Sequence, residues 1–197
     1  MRRTSKFALL ALLIGTSALV GCAQRPITAE LHRFCFKSLK ISSCATAPGV
    51  VPEDDKAIRM LSAVNDAGRL VIVRHMWPDL QGVSNLLVNE KSVQRMIPAS
   101  VIAVDVQPGR HVVRADPMDE DGSLTVDIQA GQVVTLELRK TSWSPRRFVV
   151  REIKPEIAQT LMRGADTLGV FRVPPPANFL ERSPTVIEAP QLSVKPR

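Results

Sequence analysis

Several kinds of chemistry have no foothold in this chain. There is no tyrosine, and only three histidines and three cysteines occur among 197 residues. His32, His75 and His111 are far apart, and none belongs to the i, i+4 pair by which two helical histidines share a metal. No Gly-x-Ser-x-Gly elbow is present to expose a serine nucleophile, and no Gly-x-x-x-x-Gly-Lys loop to cradle phosphates. Asp116–Gly122 gathers four acids, but Pro117 and Ile128 fall where an EF-hand loop has its first and last calcium ligands, so a solvated hairpin tip is expected there. No metal, cofactor or catalytic residue is expected, and the chain reads as a non-enzyme. The longest apolar run, Phe7–Val20, falls short of the roughly twenty residues of a membrane-spanning helix.

What that run does have is a basic head. Arg2, Arg3 and Lys6 precede it, and the first acid is Glu30, which is the pattern of a secretory signal peptide. It ends on Leu19-Val20-Gly21-Cys22, which resembles the lipobox of bacterial lipoproteins. The resemblance implies that residues 1–21 are cleaved and that Cys22 becomes the first, acylated residue. By analogy with lipoprotein sorting, Ala23 rather than Asp favours the outer membrane, facing the periplasm. The charge reads differently in that light: +7 falls to +4 once Arg2, Arg3 and Lys6 leave. The polyanions of an envelope are phospholipid headgroups and lipopolysaccharide, so nucleic acid is not an expected partner. With Cys22 acylated, Cys35 and Cys44 remain as an even pair in an oxidising compartment, where one structural disulfide is expected. It would stabilise by about 2–3 kcal/mol in the chain-entropy model.

Residues 22–51 read as a tether containing that disulfide loop. Pro52 and the acids after it start a short helix, with Ala57, Ile58, Met60, Leu61 and Val64 on one face. From Arg69 the period becomes that of strands. "RLVIVRH" is a β-branched run, "SNLLV" and "KSVQRM" flank Asn89-Glu90 as a short hairpin, and "SVIAVDV" and "RHVVRA" flank Pro108-Gly109. Pro then Gly suits the centre of a type II turn, making Pro108 and Gly109 candidate structural turn residues. Leu124, Val126 and Ile128 alternate with polar residues, as do Val134, Leu136 and Leu138, with Ala130-Gly131 turning between the two strands. "RRFVVREI" supplies a last strand, and "KPEIAQTLMRG" a helix stopped by Gly164.

This spacing predicts a mainly β fold: a single antiparallel β-sandwich, immunoglobulin- or transthyretin-like, over residues 52–165, with short flanking helices. Residues 166–197 are expected to be a disordered Pro-rich tail. From Val173 it holds six of the fifteen prolines and no glycine, and its apolar residues include Phe179, Leu180, Val186, Ile187 and Leu192. The tail is either an untethered end or a recognition segment.

The stretches "GRLVIVR", "VNEKSVQRM", "SVIAVDVQPGRHVV" and "LTVDIQAGQVVTLEL" resemble an uncharacterised family of bacterial lipoproteins, the domain-of-unknown-function family 2846, over Gly68–Gly164. Asn89-Glu90 stands where that family has Asp-Gly. The resemblance implies envelope localisation and a small β-rich domain, and it brings no catalytic residues. One further constellation is "RKTSWSPRRF", in which Arg139, Lys140, Arg146 and Arg147 surround Trp143. It could lay the domain on anionic headgroups or meet a partner. Otherwise it is a solvated loop with Trp143 folded back on the sandwich. The expected role is that of a lipid-anchored binding or assembly module with an envelope protein partner. The alternatives are a small-ligand or glycan-binding accessory lipoprotein and, third, an envelope hydrolase.

Overall fold

The computed structural model describes residues 30–38, 40–75, 82–120, 122–142 and 147–173. A disulfide-linked hairpin leads, formed by β1 (His32–Ser38) and β2 (Ile41–Ala47), and helix α1 (Pro52–Arg59) follows. The strands β3 (Gly68–Arg74), β4 (Ser84–Val88), β5 (Lys91–Met96), β6 (Ser100–Val106), β7 (Gly109–Asp116), β8 (Ser123–Ile128), β9 (Val133–Ser142) and β10 (Arg147–Glu152) come next. Helix α2 (Pro155–Leu161) and β11 (Asp166–Val173) complete the domain. The strands form a five-stranded sheet in the order β10-β9-β3-β6-β11 and a four-stranded sheet in the order β5-β4-β7-β8.

The two sheets pack face to face. Leu70 and Ile72 of β3, Ile102 and Val104 of β6, and Leu136 and Leu138 of β9 meet Leu86, Val88, Val113 and Val126 from the other sheet. Alternate residues of the same central strands point the opposite way. Val71, Val73, Val101 and Ala103 pack under Ile58 of α1 and Ala158 and Met162 of α2. Every residue of β3 and β6 is therefore buried, which explains why both read as nearly unbroken apolar runs rather than alternating ones. Among the described residues, the buried members of both cores lie within residues 47–173.

Mainly β structure with two short helices is thus the architecture, and it differs from the expected sandwich in four respects. First, β3 runs parallel to β9 and β11 parallel to β6, so the five-stranded sheet is mixed rather than antiparallel. Second, Ala130-Gly131 does not close a hairpin. It passes the chain from β8 in one sheet to β9 in the other, as Pro108-Gly109 does between β6 and β7. Gly109 has a φ of 136°, in the region that glycine favours. Third, the domain continues past residue 165: β11 is an edge strand whose Leu168 and Val173 enter the core. Fourth, residues 32–47 are a seven-pair hairpin, with Cys35 opposite Cys44 and bonded to it (S–S 2.16 Å). Ala47 is part of the sandwich core, and Phe34 packs on it.

Asn89-Glu90 does close a tight hairpin, with φ of 51° and 63° at its two residues, the signature of a type I′ turn. Both are tied to β7. Asn89 Oδ1 accepts from the Val112 amide (3.0 Å), and Arg114 makes a forked contact to the Glu90 carboxylate (2.6–3.1 Å). His111 is 3% exposed and bridges two turns: Nε2 lies 2.7 Å from Gln107 O and Nδ1 lies 2.8 Å from Asn89 Nδ2. A carbonyl only accepts, so Nε2 carries the proton. Nδ1 then accepts from the Asn89 amide, whose oxygen is already used. Both ring nitrogens are committed to structure.

Two arginines are buried in the body. Arg74 at the end of β3 is fully enclosed, donating to Met96 O (2.7 Å) with its guanidinium carbon 4.8 Å from the Phe148 ring centroid. Arg69 forks onto Asp105, its cross-strand neighbour on β6, at 2.7 and 3.0 Å.

Between β7 and β8, Asp116, Pro117, Met118 and Glu120 are exposed, as expected of a solvated hairpin tip, yet the backbone of this segment is tied down. It lies along the free edge of β10: the Asp119 amide donates to Phe148 O (2.9 Å), and the Val150 amide to Gly122 O (3.2 Å). Covering an edge strand in this way blocks edge-to-edge association. The approach requires glycine at 122, where a Cβ would lie 2.3 Å from Met118 Cγ and 2.7 Å from Phe148 O. Gly122→Ala is therefore expected to lift the segment from β10 and destabilise the domain by about 1–3 kcal/mol, measured by equilibrium denaturation.

Candidate binding surface

Several recesses of the described surface lie along β11. Its eight residues read D-T-L-G-V-F-R-V, and a register shift against β6 falls between Thr167 and Gly169. At that irregularity the Gly49 amide donates to Leu168 O (2.8 Å), so the linker from hairpin to α1 rests on the strand. Gly169 permits this contact, since a Cβ there would meet the Phe171 ring at 2.9 Å and Pro48 Cγ at 3.0 Å. The hairpin is also held from the other sheet, by the bond from Gln94 Nε2 to Thr46 O (3.1 Å).

Three recesses border the strand. A groove of about 800 Å³ lies between hairpin, linker and β11, with Phe34, Pro48, Val50, Val51 and Val170 as apolar walls and His32 and Asp54 as polar groups. A cleft of about 360 Å³ opens at the C-terminal ends of β6 and β11, among Asp66, Asp105, Val106, Gln107, Arg172 and Val173. A third hollow of about 180 Å³, lined by Lys91, Val93, Phe171 and Arg172, lies towards β5. The first two volumes fall in the range of small-ligand sites.

A polar clamp fixes the position of α1 beside this surface. Arg59 forks onto Asp55 one turn earlier (2.9 and 3.0 Å), then reaches Met162 O (2.8 Å) and Ala165 O (2.9 Å) beyond the end of α2. The Thr167 hydroxyl of β11 donates to Asp55. One guanidinium thus joins α1, the exit of α2 and the base of β11. The Arg59 guanidinium holds the Asp55 carboxyl below its ordinary value, partial burial opposes this, and the Thr167 hydroxyl adds to the lowering.

The residues singled out from sequence are dispersed. Cys22, Trp143 and Arg146 lie outside the described residues. Arg139 and Lys140 do not share a face. Arg139 is exposed, whereas Lys140 follows Val134, Leu136 and Leu138 towards the sandwich interior and is 8% exposed. Lys140 is thus largely withdrawn from the face that Arg139 presents. The alternation along β9 carried that information. Arg147 is half-buried near Asp119, whose carboxyl is held below its usual range chiefly by the Thr141 hydroxyl, then by the Glu120 amide, with Arg147 contributing last. Asp119 and Arg147 thus sense each other's charge at this end of the sheet. Pro108 and Gly109 form a corner between the sheets. No cluster of metal-binding side chains occurs among the described residues. The groove and clefts escaped sequence reasoning because β11 and the β1–β2 hairpin that frame them were assigned to tail and tether.

Comparison of the chain with family models, curated proteins and solved structures finds no match.

The Asp55–Arg59–Thr167 clamp has a definite pH signature. Because the folded-state pKa of Asp55 is depressed, its contribution to stability is present above the unfolded-state pKa of about 4 and is lost as pH falls through the folded-state value. Chemical denaturation of the wild type between about pH 2 and 6 is expected to show stability falling with acid below about pH 4. Asp55→Asn should be less stable at pH 6 and should lose part of that slope.

Proposed function

We propose that this chain is a bacterial envelope lipoprotein, anchored through Cys22 in the outer membrane and facing the periplasm. Its sandwich is a non-catalytic binding or assembly module for another envelope protein. The anchoring rests on the basic head, the short apolar run and Leu19-Val20-Gly21-Cys22. The binding role rests on one observation above the rest: three recesses border the same edge strand, β11, immediately before a Pro-rich segment. An edge strand with flanking pockets suits the capture of an extended peptide, whose main chain pairs with the strand while alternate side chains enter the recesses. The structural use of buried and half-buried ionisable groups agrees with a binding role. Arg59, Arg69, Asp105, His111 and Glu137 each make the bonds that hold strands, helices or turns in place.

A small-ligand reading has a specific observation of its own in the cleft of about 360 Å³. The Asp66 and Arg172 side chains on its wall form no ion pair or hydrogen bond among the described residues, leaving a carboxylate and a guanidinium for a polar solute.

Labelled palmitate is expected to enter the wild type and not Cys22→Ser, and equal labelling would refute the anchor. In-cell cross-linking of the wild type is expected to capture a discrete envelope protein. Phe171→Asp and Val93→Asp, facing the hollow beside β11, should reduce that capture without reducing palmitate incorporation. Capture of no protein, together with a rise in melting temperature on adding a small polar solute, would favour the cleft instead.

A further inference from the structure

The groove between the hairpin and β11 is open and largely apolar. Phe34, Val50 and Val170 are half-buried in its walls, and Val51 at its rim is 56% exposed. Asp54 lines the same rim, Glu53 precedes it, and Asp54 has no ion pair or hydrogen bond among the described residues. The groove is thus an apolar trough with an acidic lip.

The segment 174–197 starts four residues beyond Val170, about 13 Å along the chain at the usual strand rise. It begins Pro174-Pro175-Pro176 and continues with Phe179-Leu180-Glu181-Arg182 and Thr185-Val186-Ile187. Two apolar pairs therefore flank an arginine. The dozen residues from Pro174 to Thr185 have a contour of roughly 37 Å at about 3.1 Å per residue, more than the return from Val173 to Val170 requires. Covalent connection supplies an effective concentration in the millimolar range, so even a weak contact is populated. Proline restriction lowers the entropy lost on docking, and Pro-rich segments characteristically lie in grooves lined by aromatic rings, here Phe34 and His32. We infer that the groove formed by Phe34, Val50, Val51, Asp54 and Val170 is the docking site of this chain's own C-terminal segment, with Phe179, Leu180, Val186 and Ile187 supplying the apolar contacts and Arg182 meeting the acidic lip. The inference goes beyond the binding-module reading and holds whether or not Cys22 is acylated.

The test compares amide spectra of the soluble chain starting at Ala23 with those of a form stopping after Pro174. The shorter form retains the buried members of both cores, which among the described residues end at Val173. The expected result is a set of shift differences concentrated at Phe34, Val50, Val51 and Val170 and independent of protein concentration. A synthetic peptide of residues 174–197 should restore them when added to the shorter form and should leave the longer form unchanged. Val51→Asp should weaken that peptide about tenfold through loss of one apolar contact. The variant also places a helix-capping side chain at the N-cap of α1, where Val51 makes no capping bond, so weakened binding would not reflect an unfolded helix. Identical spectra at the groove residues would overturn the inference. So would differences centred on the cleft by Arg172, or differences that grow with concentration and so report docking into a second copy.

Discussion

The five-stranded sheet has no face that can be left to water, and the rest of the architecture follows from that. β3 and β6 are buried on both sides, so each needs a cover above and below. The four-stranded sheet covers one face and the two short helices cover the other. Helices of seven and eight residues are too short to be stable alone, so their place must come from packing and specific bonds. Arg59 supplies several of those bonds at once. It joins residues 103 and more positions away in sequence, where one side chain donates to two carbonyls beyond the end of α2 and fixes the start of β11.

Edges pose the same problem in another direction. On one side of the five-stranded sheet β10 is covered by the segment 116–122, with Gly122 allowing the close approach. On the other side β11 receives, among the described residues, the linker at Gly49, and recesses lie on either side. The difference between a closed edge and a partly open one gives the molecule a direction. The proposed binding role and the docking of segment 174–197 both belong to the open side. The disulfide hairpin forms one wall there, so the part of the chain nearest the proposed lipid anchor also shapes the groove.

Most of the strands were legible because their physics is local. β-branched runs and alternation mark β3 to β10, and Pro followed by acids marks α1. The Asn89-Glu90 hairpin was also legible, although glutamate is an uncommon choice at a positive φ; its carboxylate is held by Arg114 across the sheet. Sheet membership was not legible. A Pro-Gly or Ala-Gly turn reads the same whether it closes a hairpin or carries the chain to the opposite sheet, and both of these turn out to be corners. β11 was hidden by its neighbours: a helix stop precedes it, prolines follow it, and Gly169 interrupts its pattern. Arg59 and His111 act through partners that no local pattern reveals. Lys140 was readable, since it falls on the interior parity of β9.

Native-state hydrogen exchange tests this hierarchy most directly. The account predicts that amides in β3 and β6 exchange only through global unfolding, whereas the hairpin β1–β2 and the linker at Gly49 open at lower cost as a separate unit. If the hairpin amides were as strongly protected as β3, or if the slowest exchange lay in the four-stranded sheet, the doubly covered sheet could not be the element on which the rest depends.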